Sequence, residues 1–327
     1  MSNVPDLSLV VPVFNEENMV QRFFETVRPV LQSMDLTWEM VFINDGSTDQ
    51  TQARLLELRK EHPQVKVAEF SRNFGKEAAL TAGLDLAAGR GVIPMDVDLQ
   101  DPPELIPELV AKWREGWEVV LAVRNDRSSD TFAKRTTAKW FYTVFNRLSS
   151  VPMPENAGDF RLMDRIVVDA LKRLDEKNRF MKGLFAWAGF STTTVEYVRA
   201  ARAEGNSKWN YRKLFTYALD GIFSFTNVPL KVWTFIGVLL SGMAFCYMLL
   251  LIFKALIFGR DVLGYHSTMV TILFLGGVQL ISLGVIGEYV GRIFNETKCR
   301  PIYLIKKTHG LGEDSASGAG EQGTDKA

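Results

Sequence analysis

The hydrophobic positions of the first 123 residues fall into short apolar runs separated by stretches with helical spacing. Leu7–Phe14 is a nearly continuous apolar run, which is typical of a strand covered on both faces. Residues 17–34 then place apolar side chains at helical spacing, which indicates a helix with one face on a sheet. Four further strand-like runs follow: Trp38–Ile43, Val65–Phe70, Gly91–Met95 and Glu118–Val123. Repeated strand–helix units of this kind predict a doubly wound α/β sheet.

Two longer apolar segments in the second half of the chain contain no charged residue. They are Phe235–Phe253 and Ser267–Gly287, and each approaches the roughly 20 residues that a helix needs to cross a bilayer. Because only residues 254–266 separate them, we predict a two-helix transmembrane hairpin within 230–294. Its spans should cover about 232–257 and 267–290. A pair of buried core helices is the alternative.

Basic residues flank this predicted hairpin on its two outer sides. Those before it are Lys208, Arg212, Lys213 and Lys231, and those after it are Arg292, Lys298, Arg300, Lys306 and Lys307. The connecting loop offers only Lys254 and Arg260. Since positive charge concentrates on the cytoplasmic side of a membrane, we predict a multi-pass plasma-membrane protein with a cytoplasmic N-terminal domain and tail.

The remaining pattern divides the chain around the hairpin. Residues 1–209 should form the α/β domain, and 210–229 should form an amphipathic helix on the membrane interface. An ordinary packed helix is the alternative for this second segment. Residues 295–310 should be a cytoplasmic tail segment, and 311–327, rich in Gly, Ser and acidic residues, should be disordered.

Composition narrows the function classes. Lys plus Arg and Asp plus Glu both number 38, so the zero net charge favours no nucleic-acid partner. Two cysteines cannot make a disulfide framework, which suits a reducing compartment. The sequence has no Walker loop, no Gly-x-Gly-x-x-Gly and no Gly-x-Ser-x-Gly, so ATP hydrolysis, nicotinamide binding and a serine nucleophile elbow are not indicated.

Polar clusters stand where four of the predicted strands end. They are Asn15-Glu16, Asn44–Ser47, Ser71–Asn73 and Asp96-Val97-Asp98. Ligands of doubly wound sheets bind beyond the carboxyl ends of the strands, so all four clusters should face one crevice. Carboxylates that crowd there need a cation or solvent, and Mg²⁺ or Mn²⁺ held together with substrate phosphates would supply the cation; a solvated loop is the alternative. The arrangement suits a nucleoside diphosphate, with Asp45 near the base or ribose.

The motifs around these clusters resemble family 2 glycosyltransferases of the dolichol-phosphate-mannose-synthase type. The motifs are residues 10–17 (VVPVFNEE), 44–49 (NDGSTD), 71–76 (SRNFGK), 96–102 (DVDLQDP), 159–163 (DFRLM) and 205–208 (GNSK). The predicted hairpin and Gly287–Arg292 extend the resemblance to the C-terminal region. Within the family, the chain resembles the bactoprenol glucosyltransferases of O-antigen modification.

The resemblance implies a GT-A fold and a role for each site residue. The nucleoside pocket is implied for Pro12, Phe14, Glu16 and Asp45. Asp96 is implied beside the ribose and metal, with Asp98 and Gln100 as ligands of Mg²⁺ or Mn²⁺. Arg124, Arg127 and Arg135 are implied to contact phosphates near the acceptor, and Arg202 and Lys208 to close over the donor diphosphate. A solvated face or contact with lipid headgroups is the alternative for these basic residues. Asp159 is implied as a base or aligning group, with a structural pair to Arg161 or another arginine as the alternative.

The expected reaction is inverting transfer of glucose from UDP-glucose to undecaprenyl phosphate, which would supply a lipid-linked sugar for cell-envelope or O-antigen glycans. Because the acceptor phosphate is already an anion, the reaction needs no strong base. N-acetylhexosamine, galactose or mannose donors are alternatives, and the resemblance implies a homotetramer. A processive polysaccharide synthase is disfavoured because the chain has no Gln-x-x-Arg-Trp motif and only two predicted spans. A non-catalytic membrane protein that binds nucleotide sugar or serves a flippase remains the alternative from another class.

Overall fold

The computed structural model describes residues 4–124, 157–174, 176–177, 179, 181–197, 228–258 and 264–311. The first elements are β1 (Leu7–Val13), α1 (Met19–Gln32), β2 (Trp38–Asn44), α2 (Thr51–Glu61), β3 (Val65–Phe70) and α3 (Lys76–Leu86). They are followed by β4 (Gly91–Pro94), a 3₁₀ turn (Pro103–Leu105), α4 (Ile106–Arg114), β5 (Val119–Arg124), β6 (Ala157–Asp164) and α5 (Arg165–Lys172). The last are α6 (Met181–Trp187), β7 (Thr192–Tyr197), α7 (Val228–Phe258), α8 (Tyr265–Thr297) and β8 (Ile305–His309).

The eight described strands form one mixed sheet in the order β7-β5-β6-β4-β1-β2-β3-β8. Strands β4, β1, β2 and β3 run parallel, as the predicted strand–helix units require. Strand β6 lies antiparallel between β4 and β5, and β8 lies antiparallel on the outer edge of β3. The parallel centre therefore brings the carboxyl ends of its strands to one edge, where a ligand can bind.

Helices cover both faces of this sheet, which explains the continuous apolar runs of its central strands. On one face, α1 buries Phe23 against Phe42 of β2 with the two rings edge to face at 6.1 Å. On the other face, α3 packs directly over β1. A Cβ added to Gly83 of α3 would overlap Val10 Cγ1, inside the 3.0 Å that real Cβ contacts respect. The close approach of α3 to the sheet therefore depends on a glycine at this position.

The two predicted spans are long helices whose apolar side chains are exposed. Leu230–Tyr247 of α7 and Phe274–Thr297 of α8 are apolar and long enough to cross a membrane, and no part of either segment is buried. Phe235, for example, is 71% exposed. Neither segment is therefore a buried core helix, and the exposed apolar surface is the kind that a membrane-spanning hairpin would present. Of the predicted interfacial helix and tail, residues 210–227 and 312–327 lie outside the described residues.

The chain returns from the hairpin to the sheet. The Glu296 carboxylate near the end of α8 accepts the Lys177 backbone N–H at 3.0 Å. Tyr303 stacks on Phe70 with ring centroids 5.2 Å apart and donates its hydroxyl to the Asp85 carboxylate at 2.7 Å. Strand β8 then pairs with β3. The sequence analysis assigned no strand to 295–310, so this attachment of the hairpin to the α/β domain is a finding of the structure.

Candidate active site

A cavity of about 430 Å³ opens at the carboxyl edge of the sheet. Its lining includes residues from all four of the polar clusters that follow the strands. These residues are Pro12, Val13, Phe14, Glu16, Asp45, Asn73, Gly75, Lys76, Ala79, Asp96, Val97 and Asp98. The structure therefore brings together six of the predicted site residues, Pro12, Phe14, Glu16, Asp45, Asp96 and Asp98.

Hydrogen bonds join the loops after β1 and β2 on one side of this cavity. The Asn15 backbone N–H donates to Ser47 Oγ at 2.9 Å, and the Thr48 N–H donates to Asn15 Oδ1 at 2.8 Å. The Glu16 N–H donates to Thr51 Oγ1 at 2.9 Å. Asn15 has a φ of 53°, a left-handed conformation that asparagine tolerates better than most residues. The side chains therefore fix both loops before any ligand arrives.

Asp45, the first residue after β2, lines the cavity. Its side chain is buried and accepts the backbone N–H groups of Phe74 at 2.6 Å and Gly75 at 3.0 Å. Burial raises the pKa of the Asp45 carboxyl, although these two hydrogen bonds and the Arg72 charge oppose the rise. The next residue, Gly46, has a φ of 67°, and an added Cβ would lie 2.6 Å from Asn73 N. Asp45 therefore shapes the loop after β3, a role that the sequence analysis missed.

Lys76, the first residue of α3, pairs with two carboxylates across the cavity. Its Nζ lies 2.7 and 2.8 Å from the two oxygens of Asp96 and 2.8 Å from Asp159 Oδ2. Burial alone would lower the pKa of Lys76, but Asp159 and Asp96 raise it above its ordinary value, so the ammonium stays charged. Sequence reasoning missed this residue, although its position directly after a strand-end cluster was a usable signal.

The acidic loop after β4 has a strained turn at Leu99, between the predicted metal ligands Asp98 and Gln100. Leu99 has a φ of 54°, which is uncommon for a residue with a branched side chain, and such strain concentrates at functional sites. The Gln100 backbone N–H donates to Asp98 Oδ1 at 3.2 Å. Asp98 lines the cavity, whereas Gln100 is 7% exposed and does not belong to the described lining. The carboxylate of the next residue, Asp101, accepts the Tyr197 hydroxyl at 2.8 Å and anchors the loop to β7.

Asp159 and Arg161 stand two residues apart on β6 and have different surroundings. Asp159 carries the ion pair with Lys76 and is 22% exposed at its side chain. The buried Arg161 guanidinium lies over the Phe185 ring at 4.1 Å and donates to the Gly158 carbonyl at 2.5 Å. Asp159 therefore contacts the cavity-lining Lys76 without belonging to the described lining, and Arg161 is anchored by α6.

Comparison with known proteins identifies the family. Residues 8–172 match the family profile described as Glycosyl transferase family 2, and residues 228–293 match the profile of the GtrB C-terminal hairpin. The chain belongs to glycosyltransferase family 2. The first match covers the cavity-bearing strands through β6, and the second covers most of the helical hairpin. Membership in glycosyltransferase family 2 confirms the predicted enzyme class.

Relatives within this family match nearly the whole chain. The bactoprenol glucosyl transferase of Shigella phage SfII is 54% identical over 303 residues, 93% of this chain and 98% of the relative. The prophage bactoprenol glucosyl transferase homolog of Escherichia coli (strain K12) is 52% identical over 301 residues, 92% of this chain and 98% of the relative. The predicted GT-A class with a C-terminal two-helix hairpin is thereby confirmed.

Solved glycosyltransferase structures are more distant from this family 2 chain. The mannosyltransferase PcManGT from Pyrobaculum calidifontis, in complex with GDP-Man and Mn²⁺, is 18% identical with a TM-score of 0.45. The alignment covers 68% of this chain and 64% of that chain.

The basic residues that this glycosyltransferase is predicted to use for phosphate binding lie at or beyond the limits of the described residues. Arg124 ends β5 at the boundary of the described residues. Arg127, Arg135, Arg202 and Lys208 lie outside them. Their predicted contacts with the acceptor phosphate and the donor diphosphate stay predictions.

The described lining is suited to a divalent cation that arrives with a diphosphate. Among the described residues, no group of three or more His, Cys, Asp or Glu side chains could hold a metal alone. Asp96 and Asp98 supply two carboxylates, and Mg²⁺ is commonly held by one or two carboxylates plus substrate phosphates. The lining in this part of the chain includes four carboxylates and the Lys76 ammonium. A nucleoside diphosphate would add negative charge there, so the donor set fits a cation that the substrate shares.

Proposed function

We propose that this glycosyltransferase moves glucose from UDP-glucose to undecaprenyl phosphate at the cytoplasmic face of the plasma membrane. The observation that carries the proposal is the identity of 52–54% to bactoprenol glucosyl transferases over at least 92% of this chain, hairpin included. The cavity, with its acidic rim and a volume of about 430 Å³, is consistent with a nucleotide sugar. The product would be a β-linked glucosyl phosphate lipid that supplies envelope or O-antigen glycan modification.

The hairpin supports an acceptor that stays in the bilayer. Strand β8 follows the hairpin and pairs with β3, so the α/β domain and the strand after the two helices lie on the same side of the membrane. Two membrane crossings return the chain to the side from which it started, as this pairing requires. The positively charged flanks favour the cytoplasmic side. The polyprenyl chain would remain among the lipids while its phosphate reaches the cavity. The family resemblance also implies a homotetramer, which light scattering of the detergent-solubilised protein would measure.

The proposed chemistry is a single in-line displacement. An oxygen of the acceptor phosphate attacks the anomeric carbon, a new C–O bond forms, the bond to the diphosphate breaks, and UDP leaves with inversion. Since the acceptor is an anion before attack, Asp159 would align it without having to remove a proton. Arg124, Arg127 and Arg135 would neutralise the acceptor phosphate, and Arg202 and Lys208 the diphosphate. A divalent cation held by Asp96, Asp98 and, by resemblance, Gln100 would stabilise the leaving group's charge when bound.

A donor panel tests this proposal. The purified protein should receive undecaprenyl phosphate with UDP-glucose, UDP-galactose, UDP-N-acetylglucosamine, UDP-N-acetylgalactosamine and GDP-mannose in turn. Mass spectrometry should find the glucosyl lipid, and anomeric NMR should find a β linkage. Asp98→Asn should fold and reach the membrane but lose transfer, as should the wild type in excess chelator. A different preferred sugar would change the donor assignment. An α-linked product, or no product from any donor, would refute the mechanism.

A further inference from the structure

The Lys76 ammonium satisfies its whole hydrogen-bonding capacity with the carboxylates of the site. A lysine ammonium has three N–H donors, and three carboxylate oxygens lie within 2.8 Å of Nζ. Two of these oxygens belong to Asp96, after β4, and the third belongs to Asp159, on β6. A single positive charge therefore holds together two carboxylates from neighbouring strands.

This arrangement conflicts with a divalent cation on Asp96. Both oxygens of Asp96 are engaged by Nζ, so a metal ion that coordinates either one must share that oxygen with the ammonium. A divalent charge placed a few ångströms from the ammonium would also repel it, because unit charges about 4 Å apart interact strongly at the low effective dielectric of a protein site. Lys76 and the metal ion therefore compete for Asp96.

The nucleotide sugar changes this balance, because its diphosphate brings negative charge of its own. In the donor-free cavity, the ammonium is the positive charge that contacts both oxygens of Asp96. Once a diphosphate occupies the cavity, the added phosphate oxygens supply further ligands and offset the charge of a divalent ion. The preferred partner of Asp96 should therefore depend on whether the donor is present.

We propose that Lys76 is the counter-ion of the donor-free site and yields Asp96 to the divalent cation when the nucleotide sugar binds. The inference rests on the proposed function, since it requires a metal that is shared with a diphosphate. Lys76 is a positioning residue here. It keeps Asp96 and Asp159 in place in the empty cavity and makes metal loading depend on the donor.

The local structure allows the ammonium to move. Gly75, directly before Lys76, has a φ of 99°, and no atom of the described residues lies within 4 Å of the place that a Cβ would take, so none of them crowds this point. The Lys76 side chain is 38% exposed and has a flexible four-carbon stem. Its contact with Asp159 does not involve Asp96, so the ammonium can leave one carboxylate and stay on the other. The N–H groups that it releases then face the cavity that Lys76 lines.

Mn²⁺ binding without nucleotide tests the exchange directly. Free Mn²⁺ can be titrated by electron paramagnetic resonance against the full-length, detergent-solubilised protein. Lys76→Met should bind Mn²⁺ about tenfold more tightly than the wild type, since one opposite charge at this distance changes a carboxylate's affinity for a cation by at least that factor. Lys76→Arg keeps the charge and should stay close to the wild type. Lys112→Met is the matched control, because Lys112 pairs with Glu115 on the surface of α4, and it should leave Mn²⁺ affinity unchanged.

Addition of UDP should narrow the difference between Lys76→Met and the wild type, because the nucleotide favours metal on Asp96 in both. Unchanged or weaker Mn²⁺ binding by Lys76→Met in the absence of UDP would overturn the proposal. If Lys76→Met does not fold, Lys76→Gln removes the same charge and should show the same direction of change. The Mn²⁺ titration uses no sugar donor, so a failed donor panel would refute the proposed function without altering this result, and the reverse also holds.

Discussion

The position of α3 on the sheet depends on Gly83, and the substitution Gly83→Ala tests this dependence. The added Cβ would overlap Val10 Cγ1 and would also lie 3.2 Å from Val10 Cβ and 3.4 Å from Ile43 Cγ1. Val10 has a branched side chain in the fully buried centre of β1, so it cannot move aside. The helix must therefore shift away from the sheet.

The expected net cost combines two opposite effects. Replacing glycine by alanine inside a helix stabilises it by about 1 kcal/mol. Overpacking a dense core costs roughly 1–3 kcal/mol, and an overlap with a buried β-branched side chain belongs at the upper end. The net loss should be about 2 kcal/mol, which lowers the melting temperature of a domain of this size by roughly 4–8 °C. An exposed helical glycine would give the opposite sign.

The companion substitution Val10→Ala provides the decisive control. Alone, it should destabilise the protein by about 2 kcal/mol, because two buried methyl groups are lost. In combination with Gly83→Ala, the new methyl group enters the space that Val10 vacates, so the double variant should be more stable than Val10→Ala. Thermal unfolding in detergent measures all four proteins and gives the coupling energy, expected at about 1–3 kcal/mol.

Activity should follow the same pattern, because α3 carries Lys76. Lys76 precedes Gly83 by seven residues, about 10 Å along the helix axis. A shift of α3 would lengthen the ion pairs of 2.7–2.8 Å that Lys76 makes with Asp96 and Asp159. Transfer should fall in Gly83→Ala and recover in the double variant. A higher melting temperature for Gly83→Ala, or a double variant no more stable than Val10→Ala, would refute this reasoning.

Three further predictions concern other parts of the molecule. In a background with both native cysteines replaced, a cysteine at Gly264 should react with an impermeant probe added to intact cells, and one at Ser315 should not; the reverse pattern contradicts a cytoplasmic active site. Burial raises the pKa of Asp45 above 3.8 in the folded protein, because it disfavours the charged carboxylate. The stability that the protonated Asp45 gives the folded state is therefore full below the pKa of the unfolded chain and is lost as the pH rises through the higher folded pKa. Melting curves from about pH 4 to about pH 7 should therefore show the wild type losing stability relative to Asp45→Asn as the pH rises, and the opposite trend would disprove the sign. Tyr303→Phe removes the hydrogen bond to exposed Asp85 and should cost about 1 kcal/mol, whereas Tyr303→Ala also loses the stack on Phe70 and should cost more; equal losses would show that the stack contributes nothing.

The sequence was sufficient to predict the central strands and the meeting of four polar clusters at one edge. A strand is visible in the local pattern of apolar residues, and the carboxyl ends of parallel strands meet at one edge in every sheet of this class. Asp45, Asp96 and Asp98 could therefore be placed in one cavity. The ion pair of Lys76 with Asp96 and Asp159 could not be predicted in this way. It joins three elements that lie far apart in the chain, and only their packing brings the charges together.

The edge strand β8 was missed for a different reason. Ile305–His309 contains two lysines and a histidine among its five residues and shows no buried apolar face. Such a segment has little intrinsic preference for a strand. Its conformation is determined by β3, which offers it backbone hydrogen bonds, and by the Tyr303 contact with Phe70 that positions the chain just before it.

The attachment of β8 also constrains the order in which the protein can be made. Strands β1 to β4 leave the ribosome long before α7 and α8, and domains generally fold in this N-terminal-first order during synthesis. Strand β8 can cover the edge of β3 only after both hydrophobic helices have been synthesised, because β8 follows them in the chain. An unpaired strand edge invites association with other chains. Nascent molecules whose hairpin does not insert would therefore keep an unpaired edge on β3. Pairing of β8 with β3 would follow insertion of the hairpin and remove that edge.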